Sequence, residues 1–273
     1  MANEVSLNDA PSGPINCLEW SSIIPAAGRG TRLNHDKPKA LFPLLGRPIL
    51  SWIFDAILPL ISHCVVVVSP EGEEEINTIF PENKNISSII QPKPKGMADA
   101  VNIAIEGIET RHSIVIWGDQ VGISQDTLYR CMKIHESRIN ALLTVPYWIT
   151  NEPYIHIKTG GQENRIMEVQ QKREEEISVD LGRNDCGVFC FNTEFLRDTL
   201  KERSRRALAT GGKTGEFNLL PLLPVFDRGG DTASLVLVED ANEIMGVNTQ
   251  EDALKMETIL RSRNTTKYEK SIL

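Results

Sequence analysis

The sequence predicts an α/β protein, a three-layer α/β/α sandwich around a mixed, mostly parallel sheet. Three observations carry that prediction. Short apolar runs alternate with amphipathic stretches of helical spacing through residue 145, the order of a layered α/β fold. The run 64–68 (CVVVV) is apolar at every position, as in a parallel strand covered on both faces. And 23–39 (IIPAAGRGTRLNHDKPK) leads from a strand into a loop of small residues, the junction at which open parallel sheets bind ligands.

Residues 1–17, polar and interrupted by Pro11 and Pro14, read as a flexible N-terminal arm. The domain proper is expected over 18–262, with a tail over 263–273. Its first strand is 18–25. Pro48 opens a helix to about 61, with Ile49, Ile53, Ala56, Ile57 and Leu60 on one stripe. Strand 64–68, an acidic helix over 71–80, strand 86–91, helix 97–108 and strand 112–117 come next. A helix over 127–137 and a strand over 141–145 close the alternation. The next strands, 154–158, 165–170 and 186–191, have no helix between them. They predict a small antiparallel excursion, about 150–220, over the mouth of the site. Helix 193–203, a glycine-rich loop at 210–215 and an apolar stretch at 217–226 broken by Pro221 and Pro224 succeed it. A strand at 233–238 precedes a last helix capped by Thr249 with Asp252 three residues on.

Hydrophobic content of 41% and charged content of 24% are those of a globular protein with an ample core. A net charge of −8 argues against nucleic-acid or membrane-surface partners for the whole molecule. No apolar run approaches the roughly 20 residues of a membrane helix, and the first residues lack the pattern of a signal peptide. The five cysteines are scattered without CxxC spacing, as reduced thiols would be, so a cytoplasmic protein is expected. The five histidines have no ligand-like spacing, and the acidic runs 73–75 and 174–176 read as solvated faces.

Against that negative background, four of the seventeen residues in 23–39 are basic (Arg29, Arg32, Lys37, Lys39) and one is acidic, which marks an anion site. It is neither of the two common phosphate loops. A dinucleotide fingerprint needs glycine where Leu33 stands. The stretch 207–214, ending Gly212-Lys213-Thr214, has Ala207 where a Walker loop needs its first glycine, and it comes after a helix.

The order strand, PAAG-x-GTR-L, then KPKAL resembles the sugar-phosphate nucleotidyltransferases, and within them the uridylyltransferase domains of N-acetylglucosamine-1-phosphate uridylyltransferases, over roughly 18–262. The resemblance implies a Rossmann-like fold of the nucleotide-diphospho-sugar transferase type. It implies that Ala26, Ala27, Gly28, Arg29, Gly30 and Thr31 cradle an NTP, with Arg32 and Lys39 as catalytic cations. Gln91, with Gly96 and Met97, matches the base-reading segment. An amide offers donor and acceptor together, which suits uracil or thymine but can also face other bases, so UTP or dTTP is favoured and other NTPs stay open. Asp119 after Gly118, and Asn248 after Gly246-Val247, match the pair that holds Mg²⁺, an ion content with few hard oxygens. Tyr154, Gln170, Asp185, Gly187 and Glu216 match the sugar-phosphate contacts. Here the chain departs from the family, with Ile155 after Tyr154, Gln170 before Gln171-Lys172, Asp185-Cys186-Gly187, and Asn218 and Leu220 after Gly215-Glu216.

The expected reaction joins an NTP to a sugar-like 1-phosphate, giving an NDP-sugar and pyrophosphate with Mg²⁺. The alternatives are transfer to a non-sugar phosphate, such as a cyclitol phosphate or phosphocholine, or a silent regulatory homologue that binds nucleotide without turnover.

Overall fold

The structure, a computed structural model, describes residues 4–80, 84–161, 163–206 and 210–272, with side chains to residue 263. Its centre is a nine-stranded sheet. The strands that enter it from the first part of the chain are β1 (Glu4–Ser6), β2 (Trp20–Pro25), β5 (His63–Val68), β6 (Ile86–Ile90) and β7 (His112–Ile116). A two-residue hairpin, β3 (Pro43–Leu44) and β4 (Arg47–Pro48), stands apart from them. Strands β8 (Leu143–Thr150), β11 (Gly182–Asp185), β12 (Val188–Asn192) and β13 (Ala233–Leu237) complete the sheet, and β9 (Ile155–Gly160) with β10 (Arg165–Gln171) forms a separate antiparallel hairpin. The order is β1-β13-β8-β12-β7-β2-β5-β6, with β11 paired to β8. Within that order β12 alone runs against its neighbours, and β11 is antiparallel to β8. The mixed, mostly parallel sheet is therefore as the sequence predicts.

Side-chain alternation in the strands makes the three layers. In β2, Ile23 faces a core shared with α3 (Met97–Ile105) and α5 (Thr193–Arg205), where Val101, Ile105, Leu196 and Leu200 are buried. Ile24, one residue on, faces the opposite core, built from α1 (Ile49–Ile57), α4 (Gln125–Ser137) and α7 (Gln250–Ile272). In β5, Val65 and Val67 go one way and Val66 and Val68 the other, which is why that run has no polar position. The acidic α2 (Pro70–Ile79) buries only Gly72 and Ile76, and the prolines leave α6 (Leu223–Phe226) as a single turn after a 3-10 turn.

Three expectations need correction. The N-terminal segment is not a loose arm over its described residues, because β1 adds a parallel edge strand to β13, Leu7 is buried and Glu4 reaches Arg183 at 2.6 Å. The tail is helical, since α7 runs on to Ile272. Glu174 is not solvated, for its carboxylate takes the backbone N–H groups of Lys213 (3.0 Å) and Thr214 (3.3 Å) and the Thr214 hydroxyl (2.6 Å). The first residues of the Walker-like stretch, 207–209, lie outside the described residues, and its last two, Lys213 and Thr214, sit in the loop that Glu174 holds.

No helix among the described residues is long and apolar enough to cross a membrane.

Candidate active site

Two loops leave the carboxyl ends of the adjacent parallel strands β2 and β7 and touch, with the Gly118 N–H donating to the Pro25 carbonyl at 3.2 Å. That is where ligands bind in open α/β sheets. The loop after β2 folds back on itself. Gly30 has φ +62, and a Cβ there would stand 2.8 Å from that of Lys39, so the glycine lets the two limbs close. The Lys39 N–H donates to the Gly28 carbonyl at 3.0 Å. Arg32 rides on the turn Thr31–Leu33, anchored by the buried Leu33.

From these supports four sequence-predicted residues converge. The Lys39 ammonium lies 2.5 Å from Asp119 Oδ2 and 2.8 Å from Asn248 Oδ1, and Arg32 donates to the same Asn248 oxygen at 3.1 Å. Asn248 is held by its backbone. The Val247 N–H donates to the Asp119 carbonyl at 3.0 Å, and the Asn248 and Thr249 N–H groups both donate to Asp252, the capping box of α7. One carboxylate and one amide oxygen thus face a common point that already accommodates a cation, the ammonium. Hard oxygens placed so suit Mg²⁺ completed by substrate phosphates. No cluster of three or more His, Cys, Asp or Glu side chains that could hold a metal occurs among the described residues.

The convergence lies between two cavities. The smaller, about 230 Å³, is lined by Ala26, Ala27, Gly28, Lys39, Gln91, Gly96, Met97 and Glu216. Gln91 is buried, and its Nε2 donates to the Gly96 carbonyl (3.2 Å) and to Asp99 Oδ2 (2.8 Å). A carboxylate only accepts, so Asp99 fixes which end of the amide is which and leaves Gln91 Oε1 as the group without a bond. Gly96 has φ +110, and its missing side chain admits the backbone of Phe217, whose carbonyl accepts from Ala98. Arg29, Gly30 and Thr31 do not line this cavity, and Arg32 lines the larger of the two. Arg29 is exposed and reaches Glu71 at 3.4 Å.

The larger cleft, about 750 Å³, opens on the other side of Asp119. Tyr154, Asp185 and Gly187 line it, with Tyr154 half exposed. Gln170 does not. It points outward toward Glu175 at 3.4 Å, and the buried Gln171 lines the cleft instead, because successive residues of β10 face opposite ways. Glu216 belongs to the smaller cavity rather than to this cleft. Asp185 is 4% exposed, with Oδ1 accepting from the Gly187 N–H at 2.7 Å and Oδ2 unpartnered. Burial, and then the charge of Asp119, push its pKa up to about 6. Beside it, Asn184 takes the N–H groups of Tyr154 (2.8 Å) and Ile155 (3.0 Å) and so fixes the start of β9.

Arg173, two residues past the end of β10, lines both cavities and carries no motif in the sequence. Its Nη2 is 3.1 Å from Glu216 Oε2 and also donates to Asn218 Oδ1. The one signal for it in the sequence is a basic residue directly after Gln171-Lys172.

The model of the MobA-like NTP transferase domain matches residues 22–158, half of the chain. The Bifunctional protein GlmU of Desulfitobacterium hafniense (strain Y51) is 29% identical over 248 residues, 89% of this chain and 52% of that protein. GlmU of Alkaliphilus metalliredigens (strain QYMF) is 24% identical over 253 residues, 92% of this chain and 54% of that protein. The chain spans about half the length of the curated relatives it matches. A solved structure, 4-diphosphocytidyl-2C-methyl-D-erythritol synthase from Anaerococcus prevotii DSM 20548, shares the fold with a TM-score of 0.62 at 16% identity, over 90% of this chain and 98% of that one. The matched segment carries the loop, Gln91, Gly96, Met97 and Asp119, and the chain belongs to the MobA-like NTP transferase domain family, among the sugar-phosphate nucleotidyltransferases.

Proposed function

We propose that the protein transfers a nucleotidyl group from an NTP to a sugar-like 1-phosphate, releasing pyrophosphate. The observation that carries the reading is the meeting of Arg32, Lys39, Asp119 and Asn248, from three separate segments, at the boundary of two cavities. An acceptor phosphate is already an anionic nucleophile, so no strong general base is required. The work is to bring two polyanions together and to neutralise charge as pyrophosphate leaves.

The backbone of 28–31 and Arg32 hold the β- and γ-phosphates, and Lys39, at the boundary, neutralises charge on the α-phosphate. Asp119 and Asn248 would hold Mg²⁺, which would supply further positive charge to the phosphates. Gln91 Oε1 accepts a hydrogen bond from the base. Uracil and thymine present an imide N–H there, whereas N3 of cytosine is an acceptor, so UTP or dTTP is favoured over CTP. The acceptor sits in the larger cleft, and the role that goes with this chemistry is cytoplasmic nucleotide-sugar synthesis.

A pyrophosphate-release screen of five NTPs against sugar and cyclitol phosphates tests this. Turnover with UTP or dTTP and a sugar 1-phosphate is expected. Turnover with CTP or ATP alone would sink the base assignment, and nucleotide binding with no turnover for any pair would favour the regulatory reading.

A further inference from the structure

We propose that Arg173 is the residue that binds the acceptor's phosphate, a phosphomonoester, where the two cavities meet. The inference rests on the nucleotidyl-transfer reading and extends it to a residue outside the family's motifs.

Position comes first. Arg173 lines the smaller cavity with Gln91 and Gly96, and the larger one with Tyr154 and Asp185. A phosphate touching it from the acceptor side faces the nucleotide side directly.

Charge comes second. Four carboxylates line the larger cleft (Asp119, Glu152, Asp185, Asp252), against two cations, Arg32 and Arg173. Arg32 is already bonded to Asn248 on the metal side. A phosphomonoester entering that cleft is repelled by most of its charged lining, and Arg173, though paired with Glu216 and Glu174, is the cation that lines both cavities.

Preorganisation comes third. Nη2 is held by Glu216 and Asn218, and Nε lies 3.6 Å from Glu174 Oε1. These partners fix the plane of the guanidinium. Nη1 has no protein partner among the described residues, so its two N–H groups are left to donate to an oxyanion. Its partners also belong to the segment that docks on Gly96, with the Phe217 N–H donating to the Lys95 carbonyl at 2.8 Å. The acceptor's phosphate is thereby registered against the base-reading segment.

Calorimetric titration of inorganic phosphate and glucose 1-phosphate tests this on wild type, Arg173→Lys and Arg173→Ala, each saturated with UTP and Mg²⁺. Wild type should bind at least one probe. Arg173→Ala should weaken that binding roughly tenfold or more, Arg173→Lys should restore part of it, and UTP affinity should stay within about twofold in all three. With a turned-over acceptor, the loss should fall on the acceptor's KM and spare that of the NTP. Phosphate binding unchanged in Arg173→Ala, no probe bound by wild type, or an equal loss of UTP affinity would each overturn the assignment. Failure of the underlying reading would show separately, as wild type that does not bind UTP.

Discussion

The nucleotide half of the site and the acceptor half are built by different means. In the first, the loops leaving β2 and β7 are set largely by backbone contacts, as when the Asp119 carbonyl accepts from Val247 and that of Gly28 from Lys39. In the second, side chains do the holding. Asn184 fixes β9, Glu174 pins 213–214, and Glu216 and Asn218 steer Arg173. Backbone-built sites tolerate drift in the surrounding sequence, whereas side-chain-built sites change specificity with each substitution. One reaction can thus persist while its acceptor varies.

The largest effect that could break this comparison is at its seam. Asp119→Ala should lower pyrophosphate release roughly a thousandfold or more, by removing the carboxylate that Lys39 meets and that is proposed to hold the metal. Activity retained with Mg²⁺ would remove Asp119 from the mechanism.

The halves should also answer pH with opposite sign. Under the nucleotide half, the buried His112 and His135 lie 5.1 Å apart beside Trp20. Burial, with the charge of Arg111, lowers His112 to about 4, and burial holds His135 well below its usual value of 6.5. The unfolded chain takes up protons first, so stability falls as pH drops from 6.5 toward 4, by about 3 kcal/mol for His112 alone. In the acceptor half, Asp185 titrates near 6 when folded against 3.8 unfolded, so its penalty is absent below 3.8 and complete above 6. In thermal melts between about pH 7 and pH 5, His112→Asn should lose less Tm than wild type and Asp185→Asn more. Superimposable pH profiles for the three proteins would refute the assignment.

Two glycines sharpen the contrast between docked and open backbone. Gly96→Ala would set a Cβ 2.4 Å from the Phe217 carbonyl at φ +110, so we expect a loss of about 2 kcal/mol together with weakened UTP binding. Gly212→Ala meets nothing within 4 Å and should be silent in both assays. The smallest effect concerns base choice. Asp99→Asn lets the Gln91 amide turn over, and the UTP to CTP ratio of kcat/KM should fall a few-fold. An unchanged ratio would mean that Asp99 does not orient Gln91.

The same division explains what the sequence shows and what it hides. Asp119 and Asn248 are singled out in the sequence only through the family resemblance, each in a short glycine-containing motif, and the structure brings the two together through Lys39. Gln170 is misplaced because strand alternation is unforgiving, and one position along β10 separates the outward residue from the cleft-lining Gln171. Arg173 has no local signature, since Asn218, its partner, is 45 residues away. Strand β1 is hidden for another reason. Three residues cannot display a period of two, and its register is supplied by Leu235 to Leu237 at the far end of the chain.

That edge strand has a practical bearing. Glu4 reaches Arg183, the neighbour of Asn184, which fixes the start of β9 and one wall of the acceptor cleft. An affinity tag or trimmed leader that unseats residues 4–6 would therefore be felt some distance away, as a change in which acceptor is used rather than in whether nucleotide binds. Assays of substrate choice are best run with the N-terminal strand intact and any fusion placed elsewhere.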